Sequence, residues 1–482
     1  MPRTSACAVA PWAYGEHVSE TSSAPRAGLI VAIASLASAV AFLDGTVVNV
    51  ALPAMSDELG GGLATQQWTV DAYLLTLSSL ILFAGSVSDA YGRVLVLKIG
   101  LIGFGVASIA VGLAPDPVTL IIARALQGAA GAFLVPSSLA LITSLLQGTA
   151  QSKAIGQWTA WTTGATLAGP LIGGVFVDTL SWRYAFLVNV IPIAATFVLL
   201  ARMKGTDHRS PDARIDILSA ALCTLGLGGI VFALIEQPNL GWTHEAIWMP
   251  LLAGTVLFVA FVLRQRTAAH PILPLGIFTV RNFWTGNVST FFVYAALTLN
   301  GFVVGVYLQQ GAGLSATLAG LASLPATLLL IGLSSLAGTL SAKLGPRLFM
   351  TSGPLIMAAG SLLLLTVGED FDYWTQVLPG LIVFGLGLAL TVSPLTSTIL
   401  GAIGGERSGI ASATNNAVAR IAGLVVIAVL AVIVGGTLDL DGFHRAAVAT
   451  AALLAIGGVV AYAGIRNPRP ASQPEEATNK PG

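Results

Sequence analysis

The chain has 482 residues, 55% hydrophobic and 9% charged, with 54 glycines and 22 basic against 22 acidic side chains. Soluble domains carry roughly 25% charged residues, so this composition describes a polytopic membrane protein. Zero net charge leaves no nucleic-acid footprint.

The two cysteines, Cys7 and Cys223, provide neither a disulfide framework nor metal-ligand spacing, so no metal and no cofactor is expected. No phosphate-cradling glycine loop ending in Lys-Ser or Lys-Thr points to an ATP-driven pump. None of the five histidines has a partner at a catalytic spacing, so the chain reads as no enzyme.

Residues 1–26 are polar, broken by Pro2, Pro11 and Pro25, and read as a disordered tail. The apolar stretch from Cys7 to Tyr14 is too short and interrupted for a signal peptide. Apolar windows of ~20 residues then recur about fourteen times. They lie near 28–52, 67–87, 95–114, 117–146, 155–177, 184–202, 216–236, 246–264, 282–308, 316–341, 348–367, 375–400, 409–435 and 444–465, and a second polar tail covers 467–482.

An even number of crossings puts both tails on one side. Loops on that side hold Arg93, Lys98, Lys153, Arg202, Lys204, Arg209, Arg214, Arg264, Arg266, Arg281, Lys343, Arg347 and Arg407, against Arg183 and Arg445 opposite. The bias makes both termini cytoplasmic in a multi-pass protein of the cell membrane.

The first window carries a carboxylate, Asp44, inside Leu43-Asp44-Gly45-Thr46-Val47-Val48-Asn49-Val50-Ala51-Leu52-Pro53. At ~1.5 Å per residue it lies roughly 12 Å from the Pro53 end, within the hydrocarbon. An ionisable group there costs at least ~2.5–3.5 kcal/mol, so it faces a polar cavity or a partner. On the same reckoning Asp71 and Arg124 lie roughly 7 and 10 Å from the outer ends of their helices, in one layer. Burial and a nearby cation pull a carboxylate's protonation in opposite directions, which suits Asp44, or secondly Asp71, to exchange protons beside Arg124. A carboxylate that holds either a proton or a substrate is a minimal coupling device.

The chain also repeats. Gly85-Ser86-Val87-Ser88-Asp89-Ala90-Tyr91-Gly92-Arg93 shares its Gly-x-x-Ser-x-x-x-Gly frame with Gly338 to Gly345, and Leu167-Ala168-Gly169 matches Ile421-Ala422-Gly423. Both offsets are about 253 to 254 residues. The economical reading is all-α and integral to the membrane. Two six-helix pseudo-symmetric bundles, 27–202 and 281–466, flank two inserted helices in 203–280, giving 14 transmembrane helices. Such duplicated halves are a transporter design with the substrate site between them.

Gly85 to Arg93, Arg124 with Gln127-Gly128, Gly164 through Gly169-Pro170 to Gly173-Gly174, and Leu43 to Pro53 resemble the ordered signatures of the major facilitator superfamily, in its 14-helix drug:proton antiporter branch. Trp182-Arg183 with Phe186, Asn189 and Pro192, and Tyr307-Leu308-Gln309 with Ala319-Gly320-Leu321 and Pro325, are similar to the same branch. The resemblance covers roughly residues 27 to 466.

It implies a proton-coupled antiporter, a monomer in the lipid bilayer, that exports small amphipathic or cationic drug-like compounds by alternating access. Exporters of one endogenous metabolite, proton symporters and membrane sensors are the alternatives. In this frame Arg124 helps move the proton, and Gly85, Asp89, Gly92 and Arg93 form a latch between the halves. Gly164, Gly169, Pro170, Gly173 and Gly174 form the antiporter signature. Residues implied to line the cavity are Tyr73, Gln127, Trp158, Trp161, Phe291, Tyr294, Asn300 and Arg420, although Arg420 could instead meet Asp89. Asn300-Gly301 is the neutral counterpart of Asp44-Gly45 in the second half.

Overall fold

The computed structural model describes residues 24–203, 215–268, 271–403 and 408–467. The expected tails lie almost wholly outside them, as do Lys204, Arg209, Arg214 and Arg407. Among the described residues, fourteen helices are long and apolar enough to cross a membrane.

In the first half these are α1 (Ala24–Leu59), α2 (Gly62–Tyr91), α3 (Arg93–Gly112), α4 (Pro117–Leu145), α5 (Gly148–Thr179), and a sixth span made of the short α6 (Tyr184–Leu187) and α7 (Val190–Arg202). The inserted pair is α8 (Ile217–Leu240) and α9 (Glu245–Thr267). The second half has α10 (Arg281–Gln310), α11 (Ala316–Ala322) followed by α12 (Leu324–Leu344), α13 (Pro346–Leu363), α14 (Leu378–Ile403), α15 (Ser408–Ala428), the short α16 (Leu430–Val434), and α17 (Leu440–Gly464). Outward-facing positions of α3 and α9, such as Ile99, Ile102, Val106, Leu252, Val256 and Val259, are exposed and apolar, as a helix facing acyl chains requires.

Helix α1 continues through Pro53 to Leu59, past the Leu52 limit that hydropathy suggests. Ser56, Asp57 and Glu58 mark where the apolar stretch ends, not where the backbone hydrogen bonding does. The turn into α2 is three glycines, Gly60, Gly61 and Gly62, all at positive φ (83°, 82° and 54°), a conformation that L side chains rarely adopt.

The internal repeat is visible in the backbone. Gly92 (φ 103°, ψ 139°) opens α3 and Gly345 (φ 91°, ψ 144°) opens α13, so the two copies of the glycine frame make the same turn. Gly169 of α5 sits against Thr46 of α1, and Gly423 of α15 sits against Thr298 of α10. Taking Thr46 and Thr298 as equivalent, the same shift carries Asp44 to Ala296 and not to Asn300. Ala296 is fully buried and apolar, so the second half has no polar group at that register.

Candidate functional site

Asp44 of α1 lies fully buried, at 0% exposure, where α1, α3, α4 and α7 meet. Three donors converge on its carboxylate. Arg124 Nη1 donates to Oδ2 at 2.6 Å, Gln127 Nε2 to Oδ1 at 2.7 Å and Asn189 Nδ2 to Oδ1 at 3.1 Å. Arg124 and Gln127 are three residues apart on α4, hence on one face, and Arg124 Nη1 also donates to Gln127 Oε1 at 2.6 Å.

Two further contacts fix the cluster. Arg124 Nε donates to the Thr69 carbonyl of α2 at 2.9 Å, and Ser108 of α3 accepts from Gln127 at 2.9 Å. The guanidinium lies 4.4 Å from the centre of the Tyr73 ring. Desolvating both ions is costly, and the pair persists because nearly every polar atom around it is satisfied. Removing one partner of such a pair costs about 3–5 kcal/mol.

Asp71 does not join this cluster. It is fully buried on α2, yet neither carboxylate oxygen has a hydrogen-bond partner. One turn earlier Gln67 donates across the halves to the Ile427 carbonyl at 2.5 Å, which places this face of α2 on the seam with α15. Shared depth with Arg124 is therefore not shared position: depth along a helix says nothing about direction around it.

A cavity of about 420 Å³ lies between the halves. Its wall includes Asn49, Tyr73, Arg124, Tyr294, Asn416 and Arg420, and it follows α15 from Gly423 toward Ser412. Of the residues expected there, Tyr73, Tyr294 and Arg420 are on the wall. The rest are not. Gln127 is held behind it by Asp44. Trp158 donates to Ser38 at 3.1 Å, and Trp161 is 68% exposed and away from the wall. Phe291 packs edge-on against Phe292, and at position 300 it is the neighbours Thr298 and Gly301 that face the cavity.

Asp44 is also absent from the wall, so a substrate there meets Arg124, not the carboxylate. Arg420 lies in the cavity, its Nε 3.4 Å from Asn416 Oδ1, which removes it as a partner for Asp89.

The latch residues sit at the α2–α3 turn. Asp89 pairs with Arg93 at 3.4 Å, and Arg93 also donates to the Ala140 carbonyl of α4 at 3.2 Å, so both contacts stay within the first half. A side chain at Gly85 would meet open space, so that glycine answers no close approach.

The glycine signature divides by direction. Gly169 and Gly173 let α1 approach, and a side chain at Gly174 would lie 2.6 Å from the Thr317 Cα of α11, in the other half. At Gly164, the first residue of the signature, a side chain would meet nothing within 4 Å, so that glycine answers no close helix approach. Pro170 lies inside an unbroken α5, and its carbonyl is 2.5 Å from where a Cβ on Gly320 would stand.

This seam is completed by residues outside the sequence motifs. Asp178 accepts from the Ala316 and Thr317 amides at the start of α11, at 2.9 and 2.8 Å. Near the start of α2, Gln66 donates to Gln310 of the other half at 3.5 Å. These contacts close the cavity at the α1–α2 end. Elsewhere at this end Glu58 accepts from Trp182 at 2.6 Å and pairs with Arg183 at 2.7 Å, which ties α1 to the sixth span.

Comparison with known proteins agrees with this architecture. A puromycin resistance protein of Streptomyces alboniger is 35% identical over 84% of this chain and 80% of its own. A methylenomycin A resistance protein of Bacillus subtilis is 32% identical over 86% and 89%. The cephamycin export protein CmcT of Amycolatopsis lactamdurans is 31% identical over 87% of each. Among solved structures, a peptide transporter POT superposes with a TM-score of 0.67 at 15% identity, covering 90% of this chain and 94% of the other. The xylose transporter XylE from E. coli does so at 0.64 and 14%, covering 93% and 100%. These likenesses share one fold, and the sequence model of the Major Facilitator Superfamily matches residues 34–427, so the chain belongs to that family of membrane transporters.

Proposed function

We propose that this protein is a proton-coupled antiporter that exports small drug-like compounds across the cytoplasmic membrane by alternating access, with both termini cytoplasmic. The chain works as a monomer, and 27–202 and 281–466 are its two moving units. The relatives named for antibiotic resistance or export support the direction and the class of substrate. The observation that carries the coupling is the Asp44–Arg124 pair, closed off from the cavity on the carboxylate side and open to it on the guanidinium side.

A proton arriving at Asp44 removes the charge that holds Arg124. The guanidinium is then free to leave Oδ2 while it stays tied to Thr69 and Gln127. Protonation is thereby read at the wall without substrate touching the carboxylate. Asp71, buried in the α2–α15 seam with no hydrogen-bond partner among the described residues, is the alternative carrier if Asp44 proves structural. The α1–α2 end is the external one, and Gly174, Asp178 and their partners hold it shut. On the cytoplasmic side, Asp89 and Arg93 form the latch, here released with both contacts inside the first half, and they engage the second half when the external end opens.

The test uses proteoliposomes holding a pH-sensitive dye and an imposed proton gradient, with a panel of amphipathic antibiotics added to wild type and to Asp44→Asn. Substrate-triggered proton release in wild type and none in the variant is the expected result. Equal release from both sinks the assignment of Asp44. No release for any compound leaves an exporter of one endogenous metabolite as the better reading.

A further inference from the structure

The walls of the cavity carry two arginines, Arg124 and Arg420, and no carboxylate. The first is neutralised by Asp44 at 2.6 Å. The second forms no salt bridge among the described residues; its hydrogen bond is the 3.4 Å contact from Nε to Asn416 Oδ1, and the two terminal nitrogens have no partner. Arg420 lies on α15 about 12 Å from the Ala428 end, well inside the apolar layer. The cavity thus holds one uncompensated positive charge at mid-membrane. Nothing on the wall opposes it: Asp44 lies behind Arg124, and Asp71 lies in the α2–α15 seam.

The three aromatic rings of the wall, Phe42, Tyr73 and Tyr294, bring no negative charge to oppose it. The Tyr73 ring is already occupied by the Arg124 guanidinium, 4.4 Å away, so its face is not open to a ligand cation. The other polar groups on the wall, Asn49, Tyr294, Thr298, Ser412, Asn415 and Asn416, are neutral. An ammonium in this space would meet Arg420 in a low dielectric with no counter-ion, whereas a carboxylate or sulfonate would take up its two free nitrogens as a charge-assisted pair.

We infer that Arg420 is the specificity-determining residue of the cavity and that it selects amphipathic substrates bearing an acidic group over lipophilic cations. The inference rests on the export reading and names the substrate class of that same site. A lysine at position 420 keeps the point charge that opposes a cation but loses the planar fork that pairs with a carboxylate, so it keeps the sign of the preference at reduced size.

The test uses two xanthene dyes of similar size and opposite charge, fluorescein and rhodamine 123, with the full chain in nanodiscs. Equilibrium binding is measured for wild type, Arg420→Gln and Arg420→Lys, each checked for folding by its size-exclusion profile. Fluorescein is expected to bind at least roughly tenfold tighter than rhodamine 123. That ratio should fall to about one in R420Q and survive at reduced size in R420K. Equal binding of the dyes, preference for rhodamine 123, no binding of fluorescein, or a ratio unchanged in R420Q overturns the inference.

Proteoliposome efflux of the same dyes under a proton gradient separates the two readings. Fluorescein bound selectively but not moved by the gradient leaves the charge preference standing and removes the export reading. Rhodamine 123 moved in preference to fluorescein does the reverse.

Discussion

The two halves share a backbone plan and differ in what they bury at its centre. In the first, Asp44, Arg124, Gln127, Asn189 and Ser108 form an ionic cluster behind the cavity wall. In the second, the corresponding register holds Ala296, and the buried polar cluster between α10 and α15 is neutral. There Asn415 donates to Thr290 at 2.9 Å and to Asn287 at 3.3 Å, and Asn287 donates to the Phe283 carbonyl at 2.8 Å. A buried ion pair is tolerated only where enough donors surround it, and one half has gathered them all. Duplication therefore supplies two scaffolds for helix packing, while charge chemistry needs only one. The charge that the second half places on α15, Arg420, faces the cavity itself.

This contrast can be broken most severely at Asp44. Asp44→Ala strands Arg124 in the apolar interior and should lower stability by about 3–5 kcal/mol in thermal unfolding, along with loss of proton release. Asp44→Asn, which keeps the shape and one acceptor, should lose proton release with a smaller stability change. If either variant still couples proton and substrate flow, Asp44 is not the coupling group and the assignment moves to Asp71.

Next in size is Gly174→Val. A valine there meets the α11 backbone, an overpacking of about 1–3 kcal/mol that should hold the α1–α2 end open. In a chain with Cys7 and Cys223 replaced by serine, a reporter cysteine at position 66 should then label faster with a maleimide than in the Gly174 parent.

Asp178→Ala removes the acceptor for two amides across the same seam, worth about 1 kcal/mol and so a roughly fivefold shift toward the open end. The same reporter reads it, and unchanged labelling would mean that Asp178 only caps α11.

The mildest expected effect lies in the neutral half. Asn415→Ala loses hydrogen bonds worth about 0.5–1.5 kcal/mol. It should raise KM a few-fold and leave the ratio of protons to substrate untouched. A changed ratio would mean that the neutral half also handles protons.

Much of this was legible before any coordinates. Helix number follows from apolar length, and both copies of the glycine frame predict a turn that Gly92 and Gly345 make in the same conformation. Asp44 and Arg124 were visible because a charge in an apolar stretch demands a partner.

What sequence could not give is azimuth. Asp71 shares a depth with Arg124 but points to another seam, Phe291 lies on α10 off the cavity wall, and Trp158 and Trp161 lie on α5, which contributes nothing to that wall. Amides gave the weakest signal: Gln127 and Asn189 were marked as motif members, yet an uncharged side chain announces no particular partner. Asp178 belongs to none of the sequence motifs, and only the position of α11 shows what it caps.

The inserted pair makes its closest contacts with itself and α2. A side chain at Gly229 of α8 would lie 2.6 Å from the Pro250 carbonyl of α9, while α8 meets α2 through Trp68–Glu236 at 2.7 Å and Thr224–Ser79 at 2.9 Å. None of its residues lines the cavity between the halves. Because the pair enters and leaves the bilayer on one face, splicing α7 directly to α10 would reverse the direction of no other helix. It is an addition that evolution or an engineer could remove at two cuts, leaving the apolar flank of α2 and smaller patches of α15 and α16 to cover.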